Sequence, residues 1–191
     1  MKELALHLLD IAENSLAAGA RHITIKVAED THNDRLVMEV CDDGKGMDAE
    51  TVARVVDPFV TTRTTRKVGL GIPLLKAAAE ACNGHLEIES EVGKGTCVRV
   101  SFQRSHIDRM PLGDLAGTFL TLLVGNPHVY WTFIYQVDNQ TYTFDSQPIL
   151  EILQDVPLSE PRVLAYLRQE LENGIHQVQK STLLQKATQG V

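Results

Sequence analysis

Apolar side chains recur every three or four positions over residues 3–17, where Leu4, Leu8, Ile11 and Ser15 share one stripe and Ala5, Leu9, Ala12 and Leu16 lie beside it. A helical period puts such positions on one face, so the spacing predicts a helix, with Gly19 as its stop. The period then changes to two. HITIKV (22–27) and LVMEVC (36–41) alternate apolar and polar residues, which predicts two strands joined by a polar turn over 30–34. Asp48 stands where it can cap a short helix over 49–55. Residues 60–68 carry Thr and basic side chains without apolar period and read as a mobile loop. A helix over 71–82 follows, ended by Asn83-Gly84, and HLEIES (85–90) with TCVRVSF (96–102) reads as a closing hairpin turned at Gly93–Gly95. This order predicts an α/β fold, a two-layer sandwich of one mixed sheet with helices on one face.

The pattern differs beyond about Ser105. Leu112 to Val124 is an apolar helix ended by Gly125-Asn126-Pro127. VYWTFIYQV (129–137) and TYTFDS (141–146) flank Asp138-Asn139-Gln140 and predict a hairpin that holds most of the aromatics. Helices over 148–154 and 160–173 follow, with Pro161 in a first turn, and the tail from Gln177 is polar and expected to fray. The expected organisation is a domain over 1–104, a smaller α+β accessory or docking domain over 105–176 and a polar tail over 177–191. The aromatic hairpin is either the core of the second unit or an exposed docking surface.

Composition narrows the function. A chain of 191 residues with 43% hydrophobic and 23% charged content is an ordinary globular protein of one or two small domains. A net charge of -7 argues against a nucleic-acid or anionic-membrane surface as partner. Three cysteines, Cys41, Cys82 and Cys97, are odd in number and lack C-x-x-C spacing, so they are expected to be unpaired, buried thiols in a reducing cytoplasm. Asp10 and Glu13 interrupt the N-terminal apolar stretch, and 112–124 is too short to span a bilayer, so a soluble cytoplasmic protein is expected, without a signal peptide or membrane sensor.

Four motifs carry the chemistry: DIAENS (10–15), CDDGKGM (41–47), VGLGIPLL (68–75) and GKGT (93–96), with no G-x-x-x-x-G-K-S/T string anywhere. Asp10 and Asn14 are four apart and project from one helix face, where the Asn14 amide oxygen can ligate Mg²⁺ beside phosphate oxygens. Asp42 enters the glycine turn Gly44-Lys45-Gly46. A carboxylate there accepts from the exocyclic amine of adenine and is mismatched to the oxygen of guanine. Gly69-Leu70-Gly71 opens a helix, and bare amides at a helix start bind phosphate. His7 lies three residues before Asp10 and reads as a structural or solvated histidine rather than a phosphoacceptor.

With these motifs in this order, residues 3 to about 103 resemble the ATP-binding domain shared by sensor histidine kinases, type II topoisomerases, heat-shock chaperone ATPases and mismatch-repair ATPases, the GHKL or Bergerat fold. The front, 10–27, is most similar to the mismatch-repair and gyrase branch, and 57–102 to a histidine kinase. The resemblance implies ATP and Mg²⁺ as cofactors. It places a water-activating base at Asp10, where the gyrase branch has Glu, with Glu13 beside it as second choice. It implies an ATP lid over Thr61, Thr62, Arg63, Thr64, Thr65, Arg66 and Lys67, and nucleotide contacts from Asn14, Asp42, Gly44, Gly46, Met47, Gly69, Leu70, Gly71 and Ile72. Thr96 would support Asp42, and Val68 stands where histidine kinases usually have Thr. The expected activity is that of a histidine kinase-like ATPase or protein kinase in signal transduction, working on or regulating an unidentified protein partner. No dimerisation or phosphoacceptor hairpin is visible. The alternative is a non-catalytic nucleotide-dependent switch or assembly module, and a homodimer is compatible with either.

Overall fold

The computed structural model describes residues 2–56, 71–154 and 156–189. Its first helix, α1 (Leu4–Ala17), buries the stripe read from the sequence, Leu4, Ala5, Leu8, Ile11, Ala12 and Ser15. It stops where Gly19 takes φ 76°, a conformation open to a residue without Cβ. Strands β1 (His22–Asp30) and β2 (Arg35–Asp42) pair antiparallel from Ile23↔Asp42 to Asp30↔Arg35. Asp48 caps α2 (Ala49–Val55) by accepting from the Thr51 N–H at 2.8 Å. Helix α3 (Gly71–Ala81) leads through Asn83, at φ 54°, into the hairpin β3 (His85–Glu91) and β4 (Gly95–Gln103).

The second half adds α4 (Leu115–Gly125), β5 (Tyr130–Val137), β6 (Gln140–Asp145), α5 (Gln147–Leu153) and α6 (Pro161–Gln189). The six strands of the described residues form one sheet in the order β3-β4-β2-β1-β5-β6, antiparallel except for the parallel pair β1–β5. Alternation sorts its faces. Ile23, Ile25, Val27, Leu36, Met38, Val40, Val98, Val100 and Phe102 are buried under helices. Lys26, Glu39, Arg99 and Gln136 stand on the opposite, open face, where Arg99 pairs with Glu39 at 2.6 Å.

Several expectations need correction. Residues 105–176 do not build a sheet or core of their own. Trp131, Phe133, Tyr135 and Phe144 belong to the same buried cluster as Leu4, Ile25 and Val100. The reason is the β1 edge. Its unpaired backbone groups are satisfied by β5 from His22↔Tyr130 to Glu29↔Val137, and α4 crosses over to cover the apolar side. The aromatic hairpin is therefore core rather than docking surface, with Trp131 and Tyr135 0% exposed. Phe119 of α4 packs on Trp131, Phe133 and Phe144 at centroid distances of 6.2, 5.1 and 5.5 Å. The expected frayed tail is also overturned. Helix α6 continues to Gln189, and Leu167, Leu171, Val178 and Thr182 are buried along it as far as Thr182, a stripe too sparse among polar residues to mark a helix. Cys41 and Cys97 are joined as a disulfide, whereas Cys82 is free and buried. Their separation of 56 residues concealed a pairing that the β2–β4 register makes direct. Among the described residues, no helix is long and apolar enough to cross a membrane.

Candidate functional site

Asp42 closes β2 on the helix-covered side of the sheet and is held from two directions. The Ser15 hydroxyl of α1 donates to its Oδ2 at 2.6 Å, and the Gly44 N–H donates to Oδ1 at 2.9 Å. A carboxylate has about four acceptor sites, so each oxygen keeps capacity for a ligand donor. Asp43 does a different job. It accepts from the Arg21 N–H at 2.7 Å, the His22 N–H at 2.9 Å and His22 Nδ1 at 2.8 Å, which fastens the turn to the start of β1. Burial pushes its carboxyl upward, but the His22 and Arg21 hydrogen bonds prevail and hold it below the ordinary value.

The two glycine turns interlock behind Asp42. Gly46 has φ 66° and a Cβ there would strike the Glu91 carbonyl; Gly95 has φ 110° and a Cβ there would strike the Asp42 carbonyl. The Gly93 N–H donates to the Lys45 carbonyl at 2.7 Å, and the Met47 N–H to the Ser90 Oγ at 2.8 Å. Ser90 in turn donates to the Gly95 carbonyl at 3.1 Å and bonds Thr96 Oγ1 at 2.8 Å. Thr96 faces Asp42 across the β2–β4 ladder. Sequence reasoning missed Ser15 and Ser90. Ser15 left a signal, a hydroxyl within the apolar stripe of a helix, where a buried polar group needs a partner.

These elements enclose a cavity of about 240 Å³. Ile11, Met47, Val55, Ile72 and Val98 supply apolar walls, and Asn14, Asp42 and Thr96 supply convergent polar groups. Asn14 is exposed at its rim. Gly71 opens α3 so close to α1 that a Cβ on it would lie 2.9 Å from Asp10 Oδ2. Asp10 is thus against the first residue of α3. Glu13 is exposed and takes no part in the lining, and Gly44 is buried in the turn against Ala18. Thr61, Thr62, Arg63, Lys67, Gly69 and Leu70, the lid and the front of the third motif, lie outside the described residues. His7 is 3% exposed, its Nδ1 has no hydrogen-bond partner among the described residues, and burial pushes its pKa down against the opposing pull of Asp10.

Residues 1–106 match the family described as histidine kinase-, DNA gyrase B-, and HSP90-like ATPase. Sensor protein kinase FleS of Pseudomonas aeruginosa is 41% identical over 90 residues, covering 47% of this chain and 22% of FleS. Sensor histidine kinase YxdK of Bacillus subtilis is 38% identical over 73 residues, 36% of this chain and 22% of YxdK. The matched segment is thus about a fifth of either relative. Among solved structures, the Aquifex aeolicus MutL ATPase domain complexed with ADP superposes with TM-score 0.51 at 16% identity, covering 81% of this chain and 70% of that one. That likeness is one of fold, and it reaches past residue 106, the end of the family match.

Proposed function

This chain belongs to the histidine kinase-, DNA gyrase B-, and HSP90-like ATPase family, and on that footing we propose that it binds Mg-ATP between α1, α3 and the Asp42 turn and uses it as a histidine kinase-like ATPase or protein kinase. One observation supports the reading above the others. Asp42 is fixed by Ser15 and Gly44 yet keeps acceptor capacity beside an apolar cavity of about 240 Å³. Such a carboxylate accepts from the adenine amine, while Ile11, Met47 and Ile72 offer apolar walls for a base. Thr96, tied to Ser90, steadies the turn on the other side.

The donor set at the far end of α1 suits a magnesium-bound triphosphate. Asn14 presents a hard amide oxygen at the rim, and the amides that open α3 complement phosphate. When bound, the ion neutralises phosphate charge. We assign proton acceptance from an attacking water to Asp10, whose carboxylate lies against the start of α3. Glu13, exposed and outside the lining, is second to it. The lid residues Thr61, Thr62, Arg63 and Lys67 and the turn Gly69-Leu70-Gly71 are assigned to the phosphates on their motif alone.

The acting partner is a protein engaged in trans, and the setting is the cytoplasm. We assign partner recognition to residues 105–176, through surface other than the buried hairpin. The deciding experiment incubates the chain with γ-labelled ATP, alone and with lysate, and separates free phosphate from phosphoprotein. Label in a partner identifies a kinase, and free phosphate an ATPase. Binding without either product leaves a nucleotide-dependent switch, and absence of ATP binding overturns the assignment altogether.

A further inference from the structure

The β2–β4 ladder pairs Cys41 with Cys97 and, one step on, Asp42 with Thr96. Alternation sends the two pairs to opposite faces of the sheet. Asp42 and Thr96 line the cavity, which neither cysteine touches, and the disulfide lies half-buried on the open face, beside a second hollow that also touches Glu89, Glu91 and the outer side of Asp42 and Thr96. A thiol reagent can therefore reach the sulfurs without passing through the cavity. The bond sits directly behind the residues proposed to read the base, and Gly95, wedged on the Asp42 carbonyl, belongs to the same pair of strands.

We propose that the Cys41–Cys97 pair is a reversible redox-modification site at which a dithiol reductant sets the affinity of the adjoining cavity for nucleotide. The proposal rests on the nucleotide reading of that cavity. In the reductive direction a thiolate of the dithiol attacks one cysteine sulfur, the sulfur–sulfur bond breaks, and a mixed disulfide forms. The second thiol of the reductant then displaces the remaining cysteine. Two electrons and two protons pass from the dithiol to the pair, leaving Cys41 and Cys97 as thiols and the reductant as its own disulfide. Oxidation runs the same exchange backwards.

The consequence for the cavity follows from adjacency. The cross-link ties β2 to β4 at the step next to Asp42↔Thr96, and reduction removes that tie. The oxidised ladder is the form in which Ser15, Gly44, Ser90 and Thr96 already hold the Asp42 turn, and a preorganised site binds more tightly. In a reducing compartment a surface disulfide of this kind is a transient redox signal rather than a staple. Cys82 takes no part, being buried away from solvent with its thiol pushed upward in pKa by that burial.

The test uses the full chain in oxidised or reduced dithiothreitol buffers, with thiols counted by alkylation and mass and ATP affinity measured by calorimetry. The expected result is a reversible change from one free thiol to three, with the oxidised form binding ATP roughly three- to tenfold more tightly. The Cys41→Ser/Cys97→Ser double variant should hold one affinity in both buffers. Equal affinity of the wild-type chain in both verified states, or failure of the pair to oxidise, overturns the redox control and leaves the nucleotide reading intact. Absence of ATP binding in both states overturns the two together.

Discussion

Ser15 gives its hydroxyl hydrogen to Asp42 across 2.6 Å, joining the last turn of α1 to the last residue of β2 although 27 positions separate them. Together with the Gly44 N–H on Oδ1, the bond fixes a carboxylate at a strand end. Replacing the carboxylate by an amide, Asp42→Asn, substitutes donors for part of its acceptor capacity. Loss of a charge-assisted hydrogen bond is worth about 1.5–3 kcal/mol, so ATP affinity should fall about 10- to 150-fold. Ser15→Ala should weaken ATP less, because the Gly44 N–H still holds Oδ1. Calorimetric titration with ATP and GTP checks both, and unchanged ATP affinity in Asp42→Asn would remove the adenine assignment.

Asp10 and Asn14 separate binding from turnover. Asn14→Ala should weaken Mg-ATP far more than metal-free ATP, because the amide oxygen serves the ion. Asp10→Asn should leave binding nearly unchanged and slow phosphate release by about 10²–10⁴-fold, the usual effect of losing a general base. Phosphate release measured at saturating Mg-ATP distinguishes the two. Full activity in Asp10→Asn would move the role to Glu13.

The site was legible in the sequence wherever a motif is also a backbone requirement. Gly46 and Gly95 each adopt positive φ and press on a carbonyl, so only glycine serves there and the string reveals it. The alternation of HITIKV and LVMEVC fixed their strands because one face is buried and the other open. What stayed hidden was long-range partnership. Nothing local in Cys41 or Cys97 announces the other, and nothing in Tyr130–Val137 says that it continues the sheet beside β1 rather than starting a second one. Sheet edges pair by shape and register, and a single strand does not encode its neighbour. The α6 tail was misjudged because burial at Leu171, Val178 and Thr182 comes from packing against the rest of the fold, not from the helix's own weak apolar pattern.

The shared core has a direct consequence for truncation. Ending the chain after residue 104 removes β5 and exposes the β1 edge, and it takes Phe119, Trp131, Phe133 and Tyr135 from the buried cluster. Such a truncation should lose cooperative unfolding. In the intact chain, Phe119→Ala should cost about 3–5 kcal/mol, a large part of the 5–15 kcal/mol typical of a domain. Urea unfolding followed by circular dichroism tests both. A soluble 1–104 fragment with a sharp transition would restore an autonomous first domain.

His7 should make stability depend on pH. It is 3% exposed and its Nδ1 lacks a partner among the described residues, so burial favours the neutral ring and lowers its pKa from 6.5, against the opposing attraction of Asp10. Between the lowered folded value and 6.5, the unfolded chain binds the proton that the folded chain refuses. Stability from this residue is therefore complete above 6.5 and declines as pH falls through 6.5 toward the folded value. The slope contributed by one such proton is at most about 1.4 kcal/mol per pH unit. His7→Leu replaces the ring by an apolar side chain that does not titrate and should remove this slope, whatever it does to stability at neutral pH. Urea midpoints for both proteins across pH 5.5 to 7.5 isolate the difference, since the other histidines are common to the two. Parallel curves would show that the ring is protonated equally in the folded and unfolded chains.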